Sequence, residues 1–385
     1  MKRLMLQDQS KYIWQKAGWP KLTWQLDQLA IQLANTRFCQ GKLISRITEL
    51  GLSLSAEAHA EMMAHEAVKT SAVEGTIVNI DSVRSSVAKR LGLPAAGLPL
   101  PDRYADGIVE VLLDATVNSQ RPLMTKRLMG WQAALFPTGF SGIHRIRVGK
   151  WRGKHPMRVV SGPMGHEKIH YEAPPYHKVD AEMRRFIAWW AKSSGKVDGL
   201  IRAGVAHFYF VTIHPFEDGN GRIARALTDM ALSQDEGLKK RFYSLSSQIM
   251  VERNDYYNIL ELSQKNGVDI TKWLLWFLGC VERAMINSEK IISKITAKSD
   301  FWKKHTQVEI NPRQHKVINI LLDAAPGGFA GGLTTRKYVS IAKISRVTAY
   351  REISELLTLG LLKQNEKKGR NASYDINWMP ATVAI

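Results

Sequence analysis

The chain has 385 residues, 45% of them apolar and 23% charged, with 54 Lys plus Arg against 35 Asp plus Glu. That apolar share excludes wholesale disorder, and the length predicts two or three domains of ordinary size. The longest proline-free apolar run, Trp273 to Val281, is too short to span a bilayer. Cys39 and Cys280 sit in no CxxC or Cys/His cluster, so neither a disulfide framework nor a zinc site is expected. Lys2 and Arg3 are followed by Gln7, Asp8 and Gln9 rather than an apolar stretch, which argues against a signal peptide. The expected product is a cytoplasmic protein without a membrane partner. A net charge of +19 draws polyanions of several kinds. The last 85 residues hold 13 basic and 6 acidic side chains, so the basic excess leans towards the C-terminus.

Taken in chain order, Trp14, Trp19 and Trp24 recur at a spacing of five that fits neither helix nor strand. They predict an irregular aromatic cluster in the domain core, followed by a helix over 23–43 with Leu26, Leu29, Ala30 and Leu33 buried. A second helix is expected from Ser55 to about Glu74, stopped by Gly75. Gly92 to Pro101 reads as a linker. From Asp102 to about Ile295 the pattern is helical, interrupted at 157–179 by Val159, Val160, Gly162, Pro163 and Gly165, then Ile169, Tyr171, Pro174 and Pro175. That composition predicts a β-hairpin flap and a proline bend. Helical patterning resumes at Asp180, with Met183, Phe186, Ile187 and Trp190 on one face.

The last block predicts helices over 312–323, 334–342 and 345–359, then strands over 361–364 and 373–376 around the basic tip 366–372. That order resembles a winged helix-turn-helix. Arg346, Thr348, Tyr350 and Arg351 would face DNA, with the tip gripping phosphate. Such modules also bind proteins, so both readings stand.

The segment rich in chemistry is His214-Pro215-Phe216-Glu217-Asp218-Gly219-Asn220-Gly221-Arg222-Ile223-Ala224-Arg225. Pro215 disfavours helical geometry at His214. Gly219 and Gly221 allow backbone angles that let successive N–H groups converge on an anion. The helix expected next adds its unpaired N–H groups and the positive end of its dipole. Arg222 and Arg225, three apart, are neighbours on that helix. A candidate base, a carboxylate, an anion cradle and two guanidiniums together suit transfer of a phosphate-containing group. Three other readings fit worse. Gly219-x-Gly221-x-x-Ala224 lacks the βαβ setting of a dinucleotide site. Asp218-x-Asn220-x-Arg222 has Ile223 where a calcium loop needs Gly, and the chain has no Gly-Lys-Ser/Thr of a P-loop.

With every fixed position matched, this stretch resembles the signature of the Fic family, H-x-F-x-(D/E)-G-N-G-R-x-x-R. The resemblance extends over about 102–295, with the flap at 157–171. It implies a mostly α-helical fold: a Fic core with a short hairpin flap, an N-terminal region over 1–100, and the winged helix over 305–385. It also implies transfer of AMP from ATP to a Tyr, Thr or Ser hydroxyl of a target protein. In that scheme His214 is the general base and Asp218 holds Mg²⁺. Gly219, Asn220, Gly221 and Arg222 would cradle phosphates, which Arg222 and Arg225 clamp, and Tyr256 and Tyr257 would border the adenine. Val159, Val160, Ser161 and Gly162 would pair with an extended target segment.

Thr70-Ser71-Ala72-Val73-Glu74-Gly75 resembles the family's inhibitory motif, (S/T)-x-x-x-E-(G/N). The resemblance implies that Glu74 pairs with Arg225 in the space of the γ-phosphate, with Thr70 steadying Glu74. Fic relatives can transfer other phosphate-containing groups, and Glu74 could instead position water to remove AMP. Expected partners are ATP, a target-protein hydroxyl, DNA through 305–385 and a second copy of the chain. The alternative reading is a DNA-binding transcriptional regulator whose Fic core senses nucleotide.

Overall fold

The helix Gly199–Ile213 (α7) is buried along its whole length from Leu200, an apolar cylinder that needs protein on every side. It starts under the side chain of Asp198, which accepts from the N–H groups of Leu200 and Ile201. Against it lies Asn220–Glu236 (α8), itself almost wholly buried on its first three turns. Burial of Phe208, Phe210, Leu227 and Met230 contributes on the order of 1.5–3 kcal/mol each. This pair is the centre of a computed structural model that describes residues 10–49, 52–93, 98–163, 166–324, 329, 331–365 and 372–378.

Besides the pair, the chain to Lys304 forms helices Leu26–Thr48 (α1), Leu52–Val73 (α2), Ile80–Leu91 (α3), Arg103–Val117 (α4) and Thr125–Leu135 (α5), then Tyr176–Ser193 (α6), Leu245–Val251 (α9), Arg253–Lys265 (α10) and Thr271–Lys304 (α11). Strands are short. Phe140–Ser141 (β1) pairs with His144–Arg145 (β2), and Arg158–Ser161 (β3) pairs antiparallel with Lys168–Glu172 (β4). The β3–β4 hairpin is the expected flap, with a register shift between Val159 and Val160. The protein is mostly helical, as its pattern predicts. The sequence reading passed over α3 and the β1–β2 hairpin, and α6 begins at Tyr176 rather than Asp180. Part of the expected linker, 94–97, lies outside the described residues.

Two expectations for the N-terminal segment need correction. The inward stripe of α1 is Leu29, Thr36, Gln40, Leu43 and Ile47, whereas Leu26 is 58% exposed. Apolar periodicity misses a buried face that uses hydrogen bonds: Thr36 donates to the Leu278 carbonyl, and Gln40 donates to Asp235 and Glu236. The three tryptophans are half-buried rather than core. Trp14 donates to the Glu172 carbonyl at the end of the flap, and Trp19 donates to Glu182 and meets Tyr209 edge-on.

The chain divides into two compact units, the first ending at Ser288 and the second running on from Glu289 and including Leu52–Leu54. In the second, Pro312–Asp323 (α12), Thr335–Ala342 (α13) and Arg346–Thr358 (α14) precede an antiparallel pair, Leu362–Gln364 (β5) and Tyr374–Ile376 (β6). Asn311, Pro312 and Gln314 build a capping box that starts α12. Val317, Ile318, Leu321, Tyr338, Ala349, Ile353 and Leu356 form the core. Buried Glu352 accepts from Arg313 and Tyr338. Lys343, at φ 53°, turns α13 into α14, and Ser345 caps the second helix. Residues 366–371 of the expected basic tip lie outside the described residues. Among the described residues no helix is long and apolar enough to cross a membrane.

Candidate functional site

The α7 helix ends where His214 takes a left-handed conformation, φ 52° and ψ 58°. Pro215 disfavours the right-handed helical alternative at that position, so the chain turns sharply and α8 begins six residues after His214. Three devices hold the turn. Phe216 is fully buried, and Asn220 folds back so that its Oδ1 accepts from Phe216 N–H (2.9 Å) while its Nδ2 donates to Phe216 O (2.8 Å). Arg152, which the sequence reading missed, donates through Nε to the His214 carbonyl at 2.8 Å. Glu217 accepts from the backbone N–H groups of Arg147 and Gly153.

This geometry alters one expectation. The Asn220 side chain is committed to the Phe216 backbone and shapes the loop, rather than standing free for a phosphate. Gly219, at φ 91°, is the residue before α8, a conformation that suits glycine. The N–H groups of Gly221 and Arg222, in the first turn, have no intrahelical acceptor.

His214 is partly buried. Its Nδ1 lies 3.1 Å from the Val211 carbonyl, so Nδ1–H donates there and Nε2 remains the basic nitrogen. Burial is the main reason its pKa is held below the ordinary imidazole value. The bond to Val211 opposes that shift, Arg152 adds to it, and Glu74 and Asp218 oppose it.

Arg225 is 1% exposed. Its Nε donates to Thr70 Oγ1 (2.7 Å), and its Nη2 donates to the Thr70 carbonyl and to Glu74 Oε1, both at 2.8 Å. Burial would lower its pKa, but the Glu74 carboxylate beside it raises it above the ordinary value. Thr70 therefore acts on Arg225 and not on Glu74, since at one turn's separation its hydroxyl is taken by the guanidinium. Glu74 Oε1 also hangs over the loop, so close to Gly221 that a Cβ there would fall 2.0 Å away. Gly75, at φ 79°, lies just beyond Glu74, after the end of α2.

Arg222 is buried against the Phe136 ring, 4.7 Å from its centroid, and stands 3.5 Å from Asp218. Arg222 Nε and Nη1 and Arg225 Nη1 are buried with no hydrogen-bond partner among the described residues. A buried guanidinium left in that state is costly unless an anion completes it. Asp218 accepts from Ser141 and from Gly219 N–H, and its side chain is 37% exposed.

A cavity of about 520 Å³ opens here, lined among others by Glu74, Val160, Ser161, His214, Gly221 and Tyr257. Val159 and Tyr256 also line it, so the flap, the loop and both tyrosines share one cleft. Tyr256 is buried, its hydroxyl 2.9 Å from His207 Nε2, whereas Tyr257 is 36% exposed and donates to the Val73 carbonyl. Gly162, at φ 103°, follows β3. Sequence reading missed Ser141, Arg152, His170 and Glu261, whose positions depend on chain closure and leave no local pattern.

Residues 123–232 match the Fic/DOC family, and residues 12–93 match a family described as Domain of unknown function (DUF4172). The chain is 25% identical over 218 residues to the protein adenylyltransferase Fic of Nematostella vectensis, covering 56% of this chain and 46% of that protein. It is 32% identical over 104 residues to the protein of the same name from Drosophila yakuba, covering 27% and 19%. The chain thus spans less than half the length of these relatives. A Fic family protein from Desulfovibrio desulfuricans shares the fold at 16% identity and TM-score 0.51, over 90% of this chain and 95% of that one. A Fic domain containing signaling protein from Bacteroides thetaiotaomicron shares it at 17% identity and TM-score 0.53, over 68% and 96%. Glu74 lies in the stretch 12–93 and His214 to Arg225 in the stretch 123–232. The loop that carries His214, Asp218, Arg222 and Arg225 thus lies within the stretch, residues 123–232, that matches the Fic/DOC family.

Proposed function

We propose that the chain is a protein adenylyltransferase held inactive by Glu74. The observation that carries the reading is the Arg225 guanidinium, buried in α8 behind the anion loop and occupied by the Glu74 carboxylate just past the end of α2. A carboxylate is what a site built for a phosphate accepts in its place. With Glu74 withdrawn, Arg225, Arg222 and the first N–H groups of α8 would bind the β- and γ-phosphates of ATP. The adenine would lie towards Tyr256 and Tyr257.

Transfer needs one proton moved and one bond exchanged. The target hydroxyl oxygen forms a bond to the α-phosphorus, the bond from that phosphorus to the β-phosphate oxygen breaks, and pyrophosphate leaves. The hydroxyl proton passes to His214 Nε2, which is free because Nδ1 is held by Val211. An extended target segment would pair with the Val159–Ser161 edge, bringing its hydroxyl to His214.

Asp218 is the residue that would hold Mg²⁺. Among the described residues no group of three or more His, Cys, Asp or Glu is placed to hold a metal. A single half-exposed carboxylate fits Mg²⁺ of the kind completed by water and substrate phosphates. When bound, that ion supplies charge to offset the negative charge developing on pyrophosphate.

ATP labelled on its α-phosphate should label the Glu74→Gly protein strongly and the unaltered protein weakly, and His214→Ala should lose labelling at every hydroxyl that has no other base beside it. A modified mass other than that of an adenylyl group would overturn the donor. Equal labelling and equal ATP affinity in Glu74→Gly and unaltered protein would overturn the inhibitory role.

A second reading rests on the second unit. Val347 is 82% exposed and Tyr350 65%, on the first turns of α14 beside Arg346 and Arg351. The order of three helices and a strand pair supports a winged helix that lays α14 in the DNA major groove. Full-length protein should then shift duplex DNA with a steep salt dependence, weakened by Arg346→Ala and Tyr350→Ala. Unchanged mobility at low salt would end this reading.

A further inference from the structure

Outside the His214 loop, the flap and α10 assemble a second chain of proton-carrying groups. Ser161, the last residue of β3, places its Oγ 2.5 Å from Nε2 of His170 on β4. His170 Nδ1 lies 2.5 Å from Glu261 Oε2 on α10, and Glu261 is also bridged to Lys265. In this order the carboxylate receives Nδ1–H, which fixes the tautomer and leaves Nε2 to take a proton from the serine. Ser161 is exposed, and all three residues line the cavity shared by His214, Gly221 and Glu74.

Holding the flap in place does not require this trio. The hairpin already has the pairs Arg158 with Glu172, Val159 with Tyr171, Val160 with Ile169 and Ser161 with Lys168. Its base is fastened by the Tyr171 hydroxyl, which donates to the Thr212 carbonyl at 2.7 Å, by Tyr12 edge-on to Tyr171, and by Trp14 on Glu172. A serine, an imidazole and a carboxylate aligned towards a nucleotide-sized cleft are placed for chemistry at the hydroxyl.

We propose that Ser161 is itself an acceptor, so that the flap carries a modification site beside its docking edge. The inference rests on the adenylyl-transfer reading and names a substrate hydroxyl within the chain. Ser161 Oγ forms a bond to the α-phosphorus of ATP, and the bond from that phosphorus to the β-phosphate oxygen breaks. Pyrophosphate leaves with the bonding pair, and the hydroxyl proton passes to His170 Nε2. No reactant beyond ATP is needed. The resulting phosphodiester sets a bulky anion on the strand that an incoming segment would pair with, so self-modification would close the docking edge.

The test is to incubate full-length Glu74→Gly protein with ATP and Mg²⁺, digest it, and locate the adenylyl mass by peptide sequencing in the mass spectrometer. The expected result is an adenylyl group on Ser161, retained at Thr in Ser161→Thr. In His170→Ala and Glu261→Gln, labelling at Ser161 should slow by about a hundredfold or more against any other labelled hydroxyl, the usual worth of a general base. Adenylyl groups found only at other residues would overturn the assignment of Ser161 while leaving adenylyl transfer intact. No adenylyl group anywhere would overturn both.

Discussion

Arg225 Nη2 and Glu74 Oε1 meet at 2.8 Å across 151 residues of chain. One is in the second turn of the helix that follows the His214 loop, and the other lies just past the end of α2 in the region matched by a family of unknown function. Their contact makes the state of α2 a condition on the anion site.

Withdrawing the carboxylate should therefore raise activity more than it costs stability. For Glu74→Gly we expect ATP-dependent self-labelling to rise about 5–150-fold, the span of ordinary coupling energies. Quantitative labelling against time, with the unaltered protein as the reference, measures it.

Thr70 should report on the same contact from the Arg225 side. Thr70→Val keeps the shape and deletes the acceptor of Arg225 Nε, leaving a buried N–H on a charged group unpaired. The expected loss is about 1.5–3 kcal/mol of stability with partial release of inhibition. Urea denaturation and labelling on the same sample test both.

Gly221→Ala offers a double-mutant cycle. Its Cβ would press on Glu74 Oε1, so the substitution should cost about 1–3 kcal/mol in the unaltered protein and much less in a Glu74→Gly background. Equal cost in both backgrounds would mean that Glu74 does not stand over the loop.

The pH–rate profile of the Glu74→Gly enzyme should show an acid limb below about pH 6.5, the reference imidazole value. Burial lowers the His214 pKa, and removing Glu74 removes one influence that raised it. The base then stays neutral, and active, further into acid than a free imidazole. An acid limb above 6.5 would count against His214 as the base.

Stability should carry its own histidine signature. Burial lowers the pKa of His59 to about 4, while its Nδ1 bonds the Arg241 carbonyl. The unfolded chain then binds a proton near pH 6.5 that the folded one refuses, so stability falls as pH drops through that value. At pH 5.5 the loss from His59 is about 1.4 kcal/mol relative to pH 8. His59→Gln, which can keep the bond and cannot titrate, should lack that increment in paired denaturation curves.

What could be read without the structure was local. The dozen residues from His214 to Arg225 are contiguous, and Pro215, Gly219 and the start of α8 act through backbone geometry at fixed short separations. The positions of α2, α12, α13 and α14 follow from periodicity and caps for the same reason. Glu74 as the partner of Arg225 came from the likeness of Thr70–Gly75 to a known motif, since no local pattern pairs residues so far apart.

The remainder belongs to chain closure. Apolar periodicity chose Leu26 for the buried side of α1, yet Thr36 and Gln40 are buried there because their hydrogen bonds are satisfied by α8 and α11. The motif resemblance set Thr70 to steady Glu74, and packing gave its hydroxyl to Arg225. Arg152 under the His214 turn and the line from Ser161 through His170 to Glu261 join segments far apart in the chain. A sequence pattern records what each residue needs, and only the closed fold decides which distant group meets that need.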